Sequence, residues 1–436
     1  MIRKFLVTWR HWVVVLPLFT ITASSHAAET LLFEGKAELS LVRLVAAVLS
    51  RNPGLPAVQA AWEVAGTRIE QVSALDDPRL SYKIAPETAG VSGLDFGQKV
   101  ELSQKIPWPG KLGLRGEAAQ YKADAVHQNL EALRLQLVAR TKMLFADWYF
   151  VHESIRINRI NQDLLKEFQG IAITRYSTGL ATKQDALRAD VELKLLEHRS
   201  IVLERERRAL LTRMNTLLNR TPDDPIPLPQ KLPEPALLKD AVSLRGQALQ
   251  SRPELKAQMA HIQGFETRTK LAQREFYPDF NLSAGYNSLW DRTEKRFTLG
   301  VGINIPLDQS KRRAAESEAH AKLKQAQWDN IDLSAKIEEE VQIAYDRVQE
   351  SRHVLVLYRN QLLPLAEENL NAAKADYQAG SGDFLALISA EKNLMQTQLQ
   401  AEWALTDAHR RLAEIERAVG QVEPFTAVDQ LGRHEP

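Results

Sequence analysis

Two stretches of alternating polar and apolar residues stand close together in each half of the chain. They cover residues 79–84 and 99–106 in the first half, and residues 279–286 and 296–305 in the second. Alternation with a period of two is typical of strands that have one apolar face. The sequence therefore predicts two pairs of strands, and strands of about 8–11 residues are long enough to cross a bilayer.

A helical pattern follows each strand pair over a very long distance. Residues 111–176 contain no proline, and apolar residues recur there at steps of three and four. The pattern over residues 311–377 is similar, and Pro364 interrupts it. Periodic segments of this length are typical of coiled coils, and about 66 helical residues span roughly 100 Å. At Pro364 we expect a locally tolerated bend rather than a kink with a role in gating or in the taper of a helical tube.

Shorter helical patterns lie before the strands and after the long helices. We expect the leading helices to be continuous and to end before Pro78 and Pro278. The predicted shorter helices cover residues 39–75, 182–219, 240–276 and 383–419.

The second half of the chain repeats the first at an offset of about 200 residues. Pro53 corresponds to Pro253, and the strand end Ile106-Pro107 corresponds to Ile305-Pro306. Tyr176-Ser-Thr-Gly179 corresponds to Tyr377-Gln-Ala-Gly380. Each copy is therefore predicted to contain a helix, two strands, a very long helix, a turn and a return helix.

The first residues have the pattern of a secretory signal peptide. Arg3 and Lys4 precede an apolar stretch of about ten residues, and small residues follow up to Ala28. We expect cleavage after Ala27 or Ala28. Beyond this segment, no run of 18 uncharged apolar residues predicts a membrane-spanning helix.

These patterns divide the chain into five segments. Residues 222–235 contain six prolines, which favour an extended joint because proline cannot continue a helix or a central strand. The predicted segments are a signal peptide over 1–28, a first repeat over 29–220 (strands about 79–106, long helix about 111–176), a Pro-rich joint over 221–239, a second repeat over 240–420 (strands about 279–306, long helix about 311–377) and a C-terminal tail over 421–436.

Composition excludes several classes of protein. The 56 Lys and Arg residues nearly balance the 55 Asp and Glu residues, which argues against a nucleic-acid partner. The absence of cysteine excludes disulfides, thiolate metal sites and an N-terminal lipid anchor. No histidine pair has metal-ligand spacing, and no nucleophile elbow, phosphate loop or dinucleotide fingerprint is present. We therefore expect neither an enzyme nor a cofactor or bound metal.

Four strands are too few to close a barrel in a membrane. Because backbone groups must be satisfied inside a bilayer, membrane strands occur in closed barrels, of which about eight strands is the smallest. Two copies of the chain would supply eight strands and three copies twelve. The patterns thus favour a mainly α-helical protein with membrane β-strands that assembles with itself around a water-filled tube. A structural periplasmic coiled-coil or adaptor protein is the competing class, but it would lack the two duplicated amphipathic hairpins.

The duplicated unit resembles the TolC-type outer-membrane efflux family over nearly the whole chain after the signal peptide. The segment from Gly97 to Ala119, with Pro107-Trp-Pro-Gly-Lys111 at its centre, is similar to the heavy-metal (cobalt–zinc–cadmium, CzcC-like) subgroup. The resemblance implies a homotrimer in the outer membrane of a Gram-negative bacterium, in contact with outer-membrane lipid. Its expected fold is a trimeric 12-stranded outer-membrane β-barrel continued by a long periplasmic α-helical barrel.

The resemblance also implies the function and the partners. The family supplies the outer-membrane channel of tripartite RND-type efflux systems, as a passive conduit that meets a periplasmic adaptor (membrane fusion) protein and an inner-membrane RND pump. Heavy-metal cations are the favoured cargo, and drugs or secreted proteins are the alternative.

Two helix–helix turns are the expected adaptor-contact tips. Gly179 and Gly380 in these turns also have a local explanation, since glycine ends a helix in the left-handed conformation. The candidate contact residues are Thr178, Gly179, Leu180, Ala379, Gly380 and Ser381.

Two carboxylates near the tips are candidates for the pore entrance. In the family, carboxylate rings often lie six and nine residues after the second glycine, but Ala386 and Ser389 stand there in this chain. Asp383 and, in the first copy, Asp185 lie nearby, and a threefold carboxylate ring would favour cations. A helix N-cap is the favoured local explanation of Asp383, and it does not exclude exposure to the pore.

Two tryptophans lie near opposite ends of the strand regions. Trp108 and Trp290 suit the aromatic girdles found at membrane interfaces. Trp108 equally suits packing beside Pro107 and Pro109.

Overall fold

The computed structural model describes residues 38–90, 92–93, 95–236, 238–288, 290 and 292–421. The predicted signal peptide and residues 422–436 of the predicted tail lie outside the described residues. The strands are β1 Glu38–Leu39, β2 Arg79–Ala85, β3 Gly97–Ile106, β4 Leu228–Pro229, β5 Phe280–Asn287 and β6 Phe297–Ile303. The helices are α1 Leu41–Arg51, α2 Gly54–Ser73, α3 Lys111–Ser177, α4 Lys183–Leu217, α5 Ala241–Ser251, α6 Pro253–Arg274, α7 Gln309–Leu357, α8 Leu363–Ala379 and α9 Phe384–Val419.

Each leading helix is a pair of helices, so the prediction of continuous helices over 39–75 and 240–276 was wrong. The breaks fall at Asn52 and Arg252, each of which precedes a proline. Their ψ angles of 120° and 121° are extended, because the proline ring disfavours the helical conformation of the preceding residue. Arg252 is buried there, and its guanidinium donates to Glu340 and to the carbonyl of Ala418.

The four longer strands form one antiparallel sheet in the order β2-β3-β5-β6. Each repeat supplies one hairpin, and the hairpins join between β3 and β5, where Leu102 lies opposite Ala284. Phe297, Leu299 and Val301 on β6 are 76%, 91% and 70% exposed. Within the described protomer, β2 and β6 are therefore the edges of a sheet with an open apolar face.

The long helices extend from the sheet. Helix α3 has 67 residues, whereas its counterpart is divided into α7 and α8 by a π-helical turn at Tyr358–Leu362. The amide of Leu363 donates to the carbonyl of Tyr358, five residues earlier. The widened turn accommodates the next residue, Pro364, which has no amide hydrogen and whose ring crowds the preceding turn. In the part of the chain that the structure covers, no helix combines the length and apolar character needed to cross a membrane.

The Pro-rich joint packs across the middle of the long helices. Its β4 segment pairs in parallel with β1. The buried Trp148 of α3 donates its indole N–H to the carbonyl of Pro227 at 3.0 Å. The joint and β1 thereby cover one apolar core midway along α3, while a separate core lies at the far end of the helices.

Candidate functional site

The first tip is the turn between α3 and α4, at the end far from the sheet. Gly179 has a φ of +76°, a conformation that favours glycine, and the Leu180 amide donates to the carbonyl of Arg175 at 2.8 Å. Thr178, Gly179 and Leu180 are exposed, and Leu180 is 70% exposed. The turn therefore offers an apolar side chain to its surroundings.

The second tip is the turn between α8 and α9. Gly380 has a φ of +84°, and the amides of Ser381 and Gly382 both donate to the carbonyl of Asp376 at 3.0 Å. A Cβ atom on Gly382 would lie 2.9 Å from the Asp376 side chain, so this tight turn requires glycine there. Ala379, Gly380 and Ser381 are exposed, as the three residues of the first tip are.

Arg175 joins the two tips. This contact was not predicted from the sequence. Its guanidinium lies over the Tyr377 ring, 4.8 Å from the centroid. It donates to the carbonyl of Tyr377 and, at 3.3 Å, to that of Gln378. These carbonyls end α8, where the helix dipole places partial negative charge. Arg175 is the basic residue in the last turn of α3. In the sequence, this position suggests that Arg175 interacts with the C-terminus of its own helix and not with α8.

Asp185 and Asp383 both lie close enough to Tyr377 to influence its hydroxyl. Burial raises the pKa of the Tyr377 hydroxyl, and both carboxylates add to that effect. Asp185 accepts a hydrogen bond from the hydroxyl of Thr182 at 3.0 Å. Asp383 occupies the N-cap position of α9, but its exposed side chain makes no capping hydrogen bond. Helix capping therefore does not account for the Asp383 carboxylate.

The two tryptophans lie at opposite ends of the sheet. Trp108 follows β3 and stacks on Tyr277 and Phe280, with ring centroids 5.1 Å and 5.7 Å away. Trp290 lies in the connection between β5 and β6, is 43% exposed, and accepts a hydrogen bond on its carbonyl from Arg296. The structure thus packs Trp108 against other aromatic rings and leaves Trp290 on the surface.

A buried ionic tie links the two repeats beneath the sheet. Lys111 is 1% exposed, and its ammonium donates to Asp279 at 2.9 Å, to the Tyr277 carbonyl at 3.1 Å and to Glu275 at 3.2 Å. Asp279 also accepts from the Trp108 amide at 3.0 Å. This tie was not predicted from the sequence. A lysine at the first residue of a helix, where the dipole disfavours positive charge, was the signal for it.

The tie explains the Pro107-Trp-Pro-Gly-Lys111 stretch by local structure. Gly110 adopts a φ of +89° between strand and helix, and Lys111 and Trp108 both contact Asp279. The motif therefore shapes the junction between sheet and helices. Among the described residues, no group of three or more His, Asp or Glu side chains is placed to hold a metal ion.

A sheet with an open apolar face, continued by very long paired helices that end in exposed turns, defines the protomer of an outer-membrane channel. Residues 244–421 match the family model described as outer membrane efflux protein. Residues 244–421 therefore belong to the outer membrane efflux protein family, and the chain as a whole has the fold of TolC-type channels. It is not an enzyme, and it lies in the outer membrane of a Gram-negative bacterium with a large periplasmic part.

Three known proteins illustrate the similarity. The cobalt-zinc-cadmium resistance protein CzcC of Cupriavidus metallidurans is 22% identical over 337 residues, 74% of this chain and 76% of that protein. Nodulation protein T of Rhizobium leguminosarum bv. trifolii is 21% identical over 319 residues, 70% and 67% of the two chains. The outer-membrane channel OprN superposes with a TM-score of 0.74 at 20% identity, covering 87% of this chain and 89% of that one.

The matched family indicates the general function. Proteins of this family form homotrimers and serve as the outer-membrane channels of tripartite efflux systems, together with an adaptor and an RND pump. The predictions of family, fold class and location are confirmed.

Proposed function

We propose that this chain is the passive exit channel of a tripartite system that exports heavy-metal cations. The similarity to CzcC, which covers about three quarters of both chains, carries this proposal. The Pro107-Trp-Pro-Gly-Lys111 motif gives it no separate support, since the junction accounts for that motif. Nodulation protein T matches almost as well, so a cargo other than metal remains the second candidate.

In this proposal, three copies of the chain form one closed β-barrel in the membrane. The β2 and β6 edges of the described sheet would pair between neighbouring copies to give twelve strands, which leaves no edge unpaired in lipid. The exposed apolar residues of β6 would then face outer-membrane lipid. Trp290 would lie at the outer interface and Trp108 at the periplasmic one.

The adaptor docks on the tips in this proposal. The six predicted contact residues are all exposed, and they lie in two turns that Arg175 holds together. Leu180 offers an exposed apolar side chain, and its burial against the adaptor would favour docking. The two repeats over 29–220 and 240–420, joined over 221–239, thus act as one unit at the periplasmic end.

The carboxylates behind the tips attract cations in this proposal. Asp383 is exposed without a capping bond, and Asp185 lies close enough to influence the same tyrosine. Three copies would place three of each around the entrance. Ala386 and Ser389 are exposed but uncharged, so Asp383 would take the place of the family's usual carboxylates.

Replacing Asp383 with Ala should reduce the preference of the channel for cations. The reason is that the exposed carboxylate contributes to the local field without helping to hold α9. Reversal potentials of the purified channel in planar bilayers under a salt gradient measure this preference. Ser389→Ala is the uncharged control at the same tip, and unchanged selectivity in Asp383→Ala would refute the carboxylate ring for this residue.

Deletion of the gene should make cells sensitive to metal salts. Growth would be compared across zinc, cobalt, cadmium, copper and silver, beside a panel of drugs, with the gene restored on a plasmid as the control. We expect metal sensitivity that the gene reverses. Drug sensitivity with normal metal tolerance would retain the channel but contradict the metal cargo.

A further inference from the structure

A carboxyl group is buried near the tips at the junction of the two helical hairpins. Glu391 of α9 is 1% exposed, eight residues after Asp383. It lies beside an apolar core, here called the tip core, that combines residues from both hairpins. The tip core contains Leu165, Phe168, Ala172, Ala189, Leu196, Ala366, Leu370, Tyr377, Phe384, Leu387, Ile388, Ala390 and Leu394.

Glu391 is poorly matched to these surroundings. Its Oε1 atom is buried and has no hydrogen-bond partner among the described residues. An ionised carboxylate that is buried without full hydrogen bonding is costly, so such a group favours its neutral form or a conformation that admits water. Burial raises the pKa of Glu391 to about 7, and neighbouring Glu192 raises it while Lys392 lowers it.

The other charges around the tip core are mostly paired. Glu192 of α4 accepts from Lys392 at 2.7 Å, and Glu167 of α3 accepts from Lys374 of α8 at 2.9 Å. Asp190 of α4 accepts from Gln169 of α3. His198 of α4 is exposed, and it is the one histidine within residues 163–200 and 363–400. Among the described residues around the tip core, Glu391 is therefore the buried carboxyl that has no ion-pair partner.

We propose that Glu391 is a proton-controlled latch between the two helical hairpins of each protomer. Protonated Glu391 lets α9 pack on α3 and α4 and keeps the tips together. Ionised Glu391 draws water into the tip core and loosens the second hairpin. This regulation rests on the proposed role of the tips as the channel entrance.

The direction of the pH effect follows from linkage. Glu391 has a higher pKa in the packed state than its ordinary value of 4.5. Its protonation therefore stabilises the packed state fully below pH 4.5, and this stabilisation is lost as the pH rises to about 7. The ratio of loosened to packed tips should rise about 40-fold between about pH 5 and pH 7. Tyr377 stays neutral throughout, since the pKa of its hydroxyl is raised.

Hydrogen exchange of the purified full-length protein in detergent tests the latch without requiring transport. Peptides covering residues 163–200 and 363–400 would be compared at about pH 5 and pH 7, after correction for intrinsic exchange rates. We expect protection to fall with rising pH in the wild type. In Glu391→Gln and Glu391→Met, protection should stay high at both values, because neither side chain can ionise.

Two variants serve as controls. Glu368→Gln removes an exposed carboxylate from α8 of the same hairpin, and His198→Asn removes the one histidine within residues 163–200 and 363–400. Both should keep the pH effect. The latch would be overturned if the wild type showed no fall in protection with rising pH. It would also be overturned if this pH effect survived in Glu391→Gln or disappeared in His198→Asn. These results are independent of cargo, so a failed metal assay with a normal pH effect would count against the proposed function only.

Discussion

Replacing Lys111 with Met should sharply reduce the amount of folded channel in the outer membrane. The ammonium of Lys111 is almost fully buried and contacts Asp279, Glu275 and the carbonyl of Tyr277. Methionine retains most of the apolar stem but leaves Asp279 without its main positive partner. Breaking a buried ion pair from one side costs about 3–5 kcal/mol, a large part of the stability of a typical domain.

Thermal unfolding and the yield of membrane-inserted protein measure this effect. Lys122→Met on the same helix is the matched control, because Lys122 is exposed and should tolerate the change. The double variant Lys111→Met, Asp279→Asn should recover part of the loss, since asparagine can still accept the Trp108 amide without a buried charge. A stable Lys111→Met protein, or a double variant no better than the single one, would contradict the ionic tie.

Replacing Arg175 with Ala should open the resting entrance. The guanidinium donates to two carbonyls at the end of α8 and lies over the Tyr377 ring. Hydrogen bonds to charged groups contribute about 1.5–3 kcal/mol. If the tips separate when these contacts are lost, the population of open entrances should rise by about tenfold or more.

Conductance of the purified channel in planar bilayers measures this opening, with no adaptor or pump present. Arg159→Ala is the control, because Arg159 is exposed on the same helix and lies roughly four turns before Arg175. Equal conductance of Arg175→Ala and the wild type would show that Arg175 does not hold the entrance. A lower conductance would also contradict a role of Arg175 in keeping the entrance closed.

Local chemistry made much of the fold predictable from the sequence. The alternation at residues 99–106 and the helical period after Lys111 depend only on residues that are close in sequence. The structure contains both the strand and the helix that these patterns predict. Gly179 and Gly380 were predictable as turn residues because the left-handed conformation is a property of one residue. The proline at position 53 carried an equally local signal, but the apolar period resumes after it and concealed the break.

The ties between the repeats could not be predicted in the same way. Lys111 and Asp279 are separated by 168 residues, and Arg175 and Tyr377 by 202. No local pattern specifies such a pair, since each member has an ordinary explanation within its own helix or loop. Only the packing of one hairpin against the other reveals that these residues act together.

Export of metal from preloaded cells distinguishes a metal-efflux channel from a channel for another cargo. Deletion cells, deletion cells with the gene restored, and wild-type cells would be loaded with zinc, cobalt or cadmium and transferred to metal-free medium. We expect slow loss of at least one metal from the deletion cells and normal loss once the gene is restored. Equal rates of loss in all three strains for every metal would contradict the assignment of this channel to metal efflux.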